Sequence, residues 1–354
     1  MAPNNYAFVE FIFLFGRQLY YIVMKAFILA GGFATRLWPI TEQRAKPLLP
    51  LAGKPLLSYV VEAVPSDIEI TVSTNAVFAE DMKRWAKTMK GRNIKILIED
   101  AGHEGQKLGA LGAVAAWLKS NNIDEDVLLL AGDNYIDCPM ETFLSKKRDC
   151  PLIAAHDIGD LALASQFGTI IIENSPYPLG GGARGGGRVT SFEEKPQKPK
   201  STFVSTGWWW LPRNSLSVVC EHAKEHPDNI GDVFEEFLRR GIQIDCFVFS
   251  ETWKDIGSFE AYLGLHKEIV GQNVIKDSSS MIDALSVFKG SIAIGPKTKI
   301  EKSTLTDCIL FGHATITDCV LTRCILDEDC VLEGIDLTDQ MLRRGTVLRR
   351  NAER

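Results

Sequence analysis

Short apolar runs alternate with amphipathic stretches over the first 150 or so residues of the chain. Lys25–Ala30 (KAFILA) is apolar throughout and stops at Gly31-Gly32, the pattern of a buried strand. Pro55 to Val64 reads as a helix with proline in its first turn. Ile68–Ser73 predicts a second strand, Ala79–Met89 a helix, Ile94–Ile98 a third strand, and Gly109–Leu118 a helix rich in small residues. Val127–Ala131 (VLLLA) predicts a fourth strand, closed by Gly132-Asp133-Asn134. Apolar strands separated by helices predict a mostly parallel sheet with helices on both faces.

Beyond Pro151 the pattern is richer in strands. Leu152–His156, Thr169–Glu173, Arg188–Glu194, Phe203–Leu211 and Gln243–Phe249 are candidates, with helices over Asp232–Arg240 and Ser258–Val270, the latter capped by Ser258. Gly180–Gly187 (GGGARGGG) has no helix after it, so it reads as a flexible hairpin tip rather than a phosphate cradle. Trp208–Trp210 cannot all face one side of a strand, which predicts that at least one lies at an interface or cleft wall. From Ile292 the style changes again. Cys308, Cys319, Cys324 and Cys330 each open an aliphatic pair, and short polar turns separate them. Spacings near five or six residues predict hexapeptide-like rungs, with the cysteines as small hydrophobes in a stacked column. The fold class is therefore α/β: a Rossmann-like, mostly parallel mixed sheet with helices on both faces, followed by a short C-terminal left-handed parallel β-helix. The expected division is an extension over 1–23, a catalytic domain over 24–270 and a β-helix domain over 285–350.

Length and composition refine this picture. The chain has 354 residues, enough for two domains, and its formal net charge of -6 makes nucleic acid a poor partner. Any phosphate it binds must be met by a few placed cations. None of the eight cysteines forms a CxxC pair and no secretory signal is evident, which points to reduced thiols in a cytoplasmic protein. A zinc site in the tail would lack both CxxC and histidine support. Residues 6–15 are apolar but contain Glu10, and Arg17 follows, so a membrane helix is not expected. The first 23 residues read as an extension or as the product of an upstream start, because Met24 directly precedes the first strand.

The candidate chemistry begins at Leu29–Pro55, LAGGFATRLWPITEQRAKPLLPLAGKP. Gly31 and Gly32 let the backbone approach a ligand and offer N–H groups. Arg36 and Lys46 follow on a loop stiffened by Pro39, Pro47, Pro50 and Pro55. A stiff cationic loop at the carboxyl end of a parallel strand suits a triphosphate. Neither a P-loop nor a GxGxxG fingerprint is present in this segment. The segment resembles the signature of the sugar-1-phosphate nucleotidyltransferases, or nucleotide-sugar pyrophosphorylases, roughly GGxGTRLxPxT followed by KPxxPxxxKP; Ala34 stands where that pattern has glycine. The likeness to glucose-1-phosphate thymidylyltransferases and mannose-1-phosphate guanylyltransferases runs from Met24 to about Val270, and a β-helical tail is common in the family.

The resemblance implies roles position by position. Gly31 and Gly32 would meet the nucleotide by backbone, while Arg36 and Lys46 would grip its phosphates. Gln106-Lys107-Leu108-Gly109 resembles the segment beside base and sugar, although tight helix packing also accounts for small residues there, Gly112 above all. Asp133, beside Asn134, resembles a magnesium-binding aspartate; an Asp-Asn turn after a strand is the plainer reading. Phe192-Glu193-Glu194-Lys195-Pro196 resembles the family's EEKP, with Glu194 on sugar hydroxyls and Lys195 on the sugar phosphate. Gly168 and Gly207 would lie beside the sugar. Thr252-Trp253-Lys254-Asp255-Ile256-Gly257 resembles the second metal motif, with Asp255 as the other Mg2+ ligand; a helix-start carboxylate is its plainer reading. The implied activity joins a sugar 1-phosphate, glucose first and mannose second, to a nucleoside triphosphate, dTTP or UTP before GTP. Two other readings remain: a non-catalytic nucleotide-sugar-binding regulatory subunit, and an acyltransferase tail, for which His313 is the one candidate histidine. The tail is expected to pair subunits in a homo-oligomer or to pack on the catalytic domain.

Overall fold

The computed structural model describes residues 24–32, 35–99, 108–173 and 185–350. The extension 1–23, Ala34, Gln106, Lys107 and the first part of the glycine-rich run, 180–184, lie outside the described residues. Contacts divide the chain into two compact units: the chain up to Gly31 with Val60–Trp253, and Gly32–Tyr59 with Lys254–Arg354. The segment that carries Arg36 and Lys46 thus groups with the tail.

The first unit is built on one sheet. Its strands are β1 (Met24–Leu29), β2 (Glu69–Asn75), β3 (Ile94–Glu99), β4 (Asp126–Ala131), β5 (Leu152–Asp157), β6 (Gly168–Glu173), β7 (Gly185–Glu194), β8 (Phe203–Leu211) and β9 (Asp245–Val248), in the order β3-β2-β1-β4-β8-β5-β9-β7-β6. The first four are mutually parallel, and the apolar runs of β1 and β4 suit strands covered on both faces. β8 then enters antiparallel to β4 and β5, and β7 runs antiparallel to β9 and β6. The strand-rich half beyond Pro151 is therefore where the sheet becomes mixed. The carboxyl ends of β1 to β4 share one edge, and Gly31, Asn75, Glu99 and Asp133 stand at or just beyond it.

The helices are α1 (Leu56–Ala63), α2 (Ala79–Thr88), α3 (Ala110–Ser120), α4 (Leu216–His222), α5 (Gly231–Arg239) and, in the second unit, α6 (Phe259–Val270). On one face of the sheet Phe27, Leu129, Ile153 and Cys246 pack with Leu111 and Trp117 of α3, Val219 of α4 and Phe234 of α5. On the other, Phe143 from the short helix Met140–Leu144 meets Trp208 and Phe247, each at 5.9 Å between ring centroids. Two-sided cover changes the fate of the tryptophan run. Trp208 and Trp210 are buried on one face, while Trp209 turns to the other, packs 6.3 Å from Phe234 and donates to Ser205 Oγ at 2.9 Å. Consecutive aromatics are absorbed by two cores, and the expected cleft-wall tryptophan is instead a partly buried core residue. The glycine-rich run also differs from expectation at its end. Gly185–Gly187 already belong to β7, paired with Cys246–Val248, and a side chain at Gly186 would strike the Cys246 carbonyl.

In the second unit, short strands stack in parallel ladders. Val274–Lys276, Val287–Ile294, Thr304–Leu310, Val320–Thr322 and Asp336–Thr338 form one; Met281–Ile282, Lys299–Glu301, Thr315–Thr317, Val331–Glu333 and Val347–Arg349 form another. Partners such as Lys299 and Thr315, Thr304 and Val320, or Ile309 and Ile325 stand 16 residues apart. The corners are periodic as well. Lys297, Lys302, Asp307, His313, Asp318, Arg323, Asp329, Gly334, Asp339 and Gly345 all take φ between 48° and 72°, at intervals of five, five and six residues. Left-handed backbone costs a non-glycine residue about 1–2 kcal/mol. Buried Ile300, Leu305, Ile316, Leu321 and Leu332 offset it by stacking inward. The four tail cysteines sit in that column as free thiols, Cys308 in register with Ile292, and burial pushes the Cys330 thiol up to about 11. His313 is an exposed corner.

Helix α6 starts as expected, with Ser258 Oγ accepting from the Ala261 N–H at 3.2 Å. It lays Tyr262, Leu265 and His266 against the stack, where His266 is 1% exposed and Ser291 Oγ reaches its carbonyl. Among the described residues no helix is long and apolar enough to cross a membrane.

Burial depresses the His266 imidazole to about 4, with Asp307 opposing the shift. Above its unfolded value near 6.5 the ring is neutral in both states; below it the unfolded chain binds a proton that the folded chain refuses. Stability should therefore fall between pH 6.5 and 4, by up to about 3 kcal/mol. Urea unfolding of the unaltered chain and of His266→Leu across that range checks this: the variant should lose less stability on acidification, and equal losses would contradict it.

Candidate active site

The carboxyl edge of the sheet is organised by backbone approach. The Gly31 carbonyl accepts from Asn75 Nδ2 at 3.1 Å, while Asn75 Oδ1 accepts from the Phe78 N–H. A Cβ on Gly31 would lie 2.9 Å from Glu99 Oε1, so a side chain there would displace the carboxylate of this buried acid. Burial pushes the Glu99 carboxyl above the usual range. Gly132 donates to the Leu29 carbonyl at 2.8 Å and sits so close that a side chain would strike it. The turn after β4 is thereby pinned to the end of β1, and Asp133 and Asn134 emerge from it.

Asn134 is held from both sides. Its Nδ2 donates to Asp133 Oδ1 at 2.9 Å, and its Oδ1 accepts from the Trp253 indole N–H at 2.8 Å. Trp253 lies 5.1 Å from Phe167 and 6.0 Å from His156. The Phe167 carbonyl in turn accepts the Lys195 N–H at 3.1 Å. One indole thus links the segment of Asp133 with the segment of Lys195. Gly207, at φ 86°, fits between Ala131 and Asn134; a Cβ there would come within 2.6 Å of the Ala131 methyl.

Glu194 ends β7 and Lys195 follows it. The Glu194 carboxylate lies against Gly168 and Gly231, both of which would collide with it if they bore side chains. Its N–H donates to Glu235 Oε1 at 3.0 Å. Burial raises the Glu194 carboxyl above its ordinary value, and the Lys195 ammonium, 3.3 Å away, opposes that. Lys195 itself takes φ 47° before Pro196, a strained conformation that turns an exposed ammonium back over Glu194.

In the second unit Lys46 opens a short 3-10 turn, Lys46–Leu48, whose Leu49 N–H returns to the Lys46 carbonyl at 3.0 Å. The hairpin that follows pairs Pro50 with Pro55 across Ala52-Gly53, both at positive φ. Lys46 is 9% exposed, and its ammonium donates to Asp255 Oδ1 at 2.8 Å. Arg36 and Gly32 are exposed on the same segment.

Several expected residues are therefore brought together: Lys46 with Asp255; Asp133 with Asn134 and Gly207; Glu194 with Lys195 and Gly168. Gln106 lies outside the described residues. Gly109 meets a packing constraint. At φ 77° it lies beneath the backbone of Pro227 and Asp228, and Ala110 and Gly112 donate to the carbonyls of Asp228 and Pro227. Its lack of a side chain answers a chain crossing. Sequence reasoning missed Glu99, Trp253 as a bridge, and Gly231. A glycine opening α5 gives no hint that a carboxylate 37 positions earlier, at Glu194, lies against it. Among the described residues no three or more His, Cys, Asp or Glu side chains cluster to hold a metal.

Known proteins resemble this chain in sequence and in fold. A family model described as nucleotidyl transferase matches residues 25–272. A glucose-1-phosphate thymidylyltransferase of Streptomyces antibioticus is 25% identical over 82% of this chain and 78% of its own. A candidate mannose-1-phosphate guanyltransferase of Sulfolobus acidocaldarius is 24% identical over 81% of this chain and 76% of its own. A solved candidate glucose-1-phosphate thymidylyltransferase from Bacillus anthracis shares the fold with a TM-score of 0.58, at 22% identity over 71% of this chain and 96% of that one.

The glycines of the edge divide by what surrounds them. Gly207→Ala should destabilise the chain by about 1–3 kcal/mol through overlap and positive-φ strain. Gly32→Ala, which meets nothing within 4 Å, should stay within about 0.5 kcal/mol. Chemical denaturation of the two variants measures the contrast, and equal losses would contradict it.

Proposed function

Because the chain belongs to the nucleotidyl transferase family and is an enzyme of the sugar-1-phosphate nucleotidyltransferase type, we propose that it condenses glucose 1-phosphate with dTTP or UTP, releasing pyrophosphate. The observation that carries the reading is the contact between Lys46 and Asp255. A lysine from the glycine-started loop and a carboxylate from the Trp253-Lys254-Asp255 segment meet at 2.8 Å, although 209 residues separate them. A phosphate-gripping cation and a metal-holding carboxylate would have to be neighbours in this way.

In this reading the backbone at Gly31 and Gly32 admits the nucleotide, Gln106 and Gly109 lie along the nucleoside, and Arg36 and Lys46 take the charge of the triphosphate. Lys195 binds the sugar phosphate, Glu194 accepts from sugar hydroxyls, and Gly168, Asn134 and Gly207 leave room for the ring. The nucleophile is already an anion, so the chain need not supply a general base. Its residues must overcome repulsion between two anions and the charge that builds on the departing pyrophosphate, by positioning and neutralisation. Attack in line would invert the configuration at phosphorus. Asp133 and Asp255 are the residues to hold Mg2+, which would screen charge on the phosphates. The donor set fits by its chemistry: carboxylate oxygens are hard ligands of the kind Mg2+ takes, and phosphate oxygens of the substrates would complete the shell.

The second choice of substrates is mannose 1-phosphate with GTP. It is favoured by the guanyltransferase relative at 24% identity, against 25% for the thymidylyltransferase. We assign the tail as a left-handed parallel β-helix on the strength of its 16-residue coil and three left-handed corners per coil, and expect it to support a homo-oligomer. Eight free cysteines fit a reducing, cytoplasmic setting.

Pyrophosphate release from a matrix of four nucleoside triphosphates against glucose, mannose and N-acetylglucosamine 1-phosphates, with Mg2+, tests the assignment. Glucose 1-phosphate with dTTP or UTP should react fastest. Lys46→Ala and Asp133→Ala should each lower turnover ~10²–10³-fold, the scale for one lost transition-state partner. Near-full turnover in either variant would remove that residue from the mechanism, and no release from any pair would refute the activity.

A further inference from the structure

Arg44 stands two residues before Lys46, and neither the family signature nor the proposed chemistry uses it. Its guanidinium Nη2 donates to Asp327 Oδ1 at 3.1 Å and to Glu328 Oε1 at 2.9 Å, and it lies 5.2 Å from the centre of the Phe311 ring. Asp327 keeps only 4% of its side-chain surface, and its Oδ1 also accepts the Glu328 N–H at 2.8 Å. Glu328 is held in turn by Arg344 at 2.6 Å. This is a part-buried charge network, in which removing one member leaves an uncompensated charge. On the far side of Lys46, the Pro50 carbonyl accepts from the Tyr262 hydroxyl of α6. The seven residues from Arg44 to Pro50, stiffened by Pro47 and Pro50, are therefore anchored at both ends, to the coiled stack and to the helix that follows Asp255. A third strut, Arg323 to Glu260, lies on the surface, where such pairs contribute little.

We propose that Arg44 is a positioning residue for Lys46: the turn at Asp327-Glu328 holds Arg44, and through it fixes the ammonium beside Asp255. The tail is then part of the machinery of the nucleotide site rather than an appended module. This rests on the reading of Lys46 as the cation that grips the triphosphate.

The test uses full-length Arg44→Met and Asp327→Asn, the latter nearly isosteric, with Arg44→Lys, Lys46→Ala and Arg323→Ala alongside. Misplacement of a reacting group by about 1 Å costs roughly 10²-fold. Arg44→Met and Asp327→Asn should thus lower kcat/KM for the nucleotide by about ten- to a hundredfold, leave KM for the sugar phosphate within about twofold, and be partly rescued in Arg44→Lys. Arg323→Ala should behave as the unaltered chain. Independently of turnover, acetic anhydride labelling read by mass spectrometry should show Lys46 modified faster relative to Lys254 in Arg44→Met. Unchanged kinetics and an unchanged labelling ratio, with Lys46→Ala inactive, would overturn the brace and leave the activity standing. If the unaltered chain turns over no substrate pair, the activity reading falls, and the labelling ratio alone decides the brace: a rise upholds it, no change overturns it.

Discussion

A lysine with nine-tenths of its surface covered must find an anion or give up its charge. Lys46 finds Asp255, and much of the second unit can be understood as the means of making them meet. The loop reaches that point through a 3-10 turn and a tight hairpin. The carboxylate reaches it on the segment that runs into α6. Proline fixes the first path, and the Ser258 cap fixes the start of the second. The covered ammonium gains most from the contact, because a buried ion without a counter-charge costs several kcal/mol.

The first unit solves a different problem, which is to pack chain segments closely at the carboxyl edge of its sheet. Gly132 against Leu29 and Gly207 against Ala131 are places where a methyl group would not fit, and at Gly31 and Gly231 it would displace the Glu99 and Glu194 carboxylates. The side chains that remain at this edge are oriented by neighbours rather than by solvent. Trp253 turns Asn134, and Asn134 turns Asp133. Such preorganisation is what electrostatic catalysis requires, since dipoles already aimed need not reorganise.

The parts of this arrangement that were legible in the sequence share a cause: they follow from local periodicity or from a contiguous motif. The parallel strands, the Ser258 cap and the five-and-six spacing of the tail were readable because each is fixed by residues near in sequence. The packing of Gly109 was not legible because its constraint comes from Pro227 and Asp228, more than a hundred positions away. The tryptophan run was misread because two cores, not one, cover the sheet. Glu99 and Gly231 gave no local signal at all; burial and chain crossing are properties of the assembled fold.

The coiled stack has one further consequence. Its repeat is an integer number of residues, so evolution can lengthen or shorten it only in whole circuits without rotating every inward aliphatic to the outside. Because Arg44 reaches one specified circuit through Asp327, insertions on the side of that circuit nearer α6 would carry the anchor away, whereas circuits added beyond Arg349 would not. Growth of this tail is therefore polar: its far end is open to variation and its near end is tied to the loop that carries Arg44.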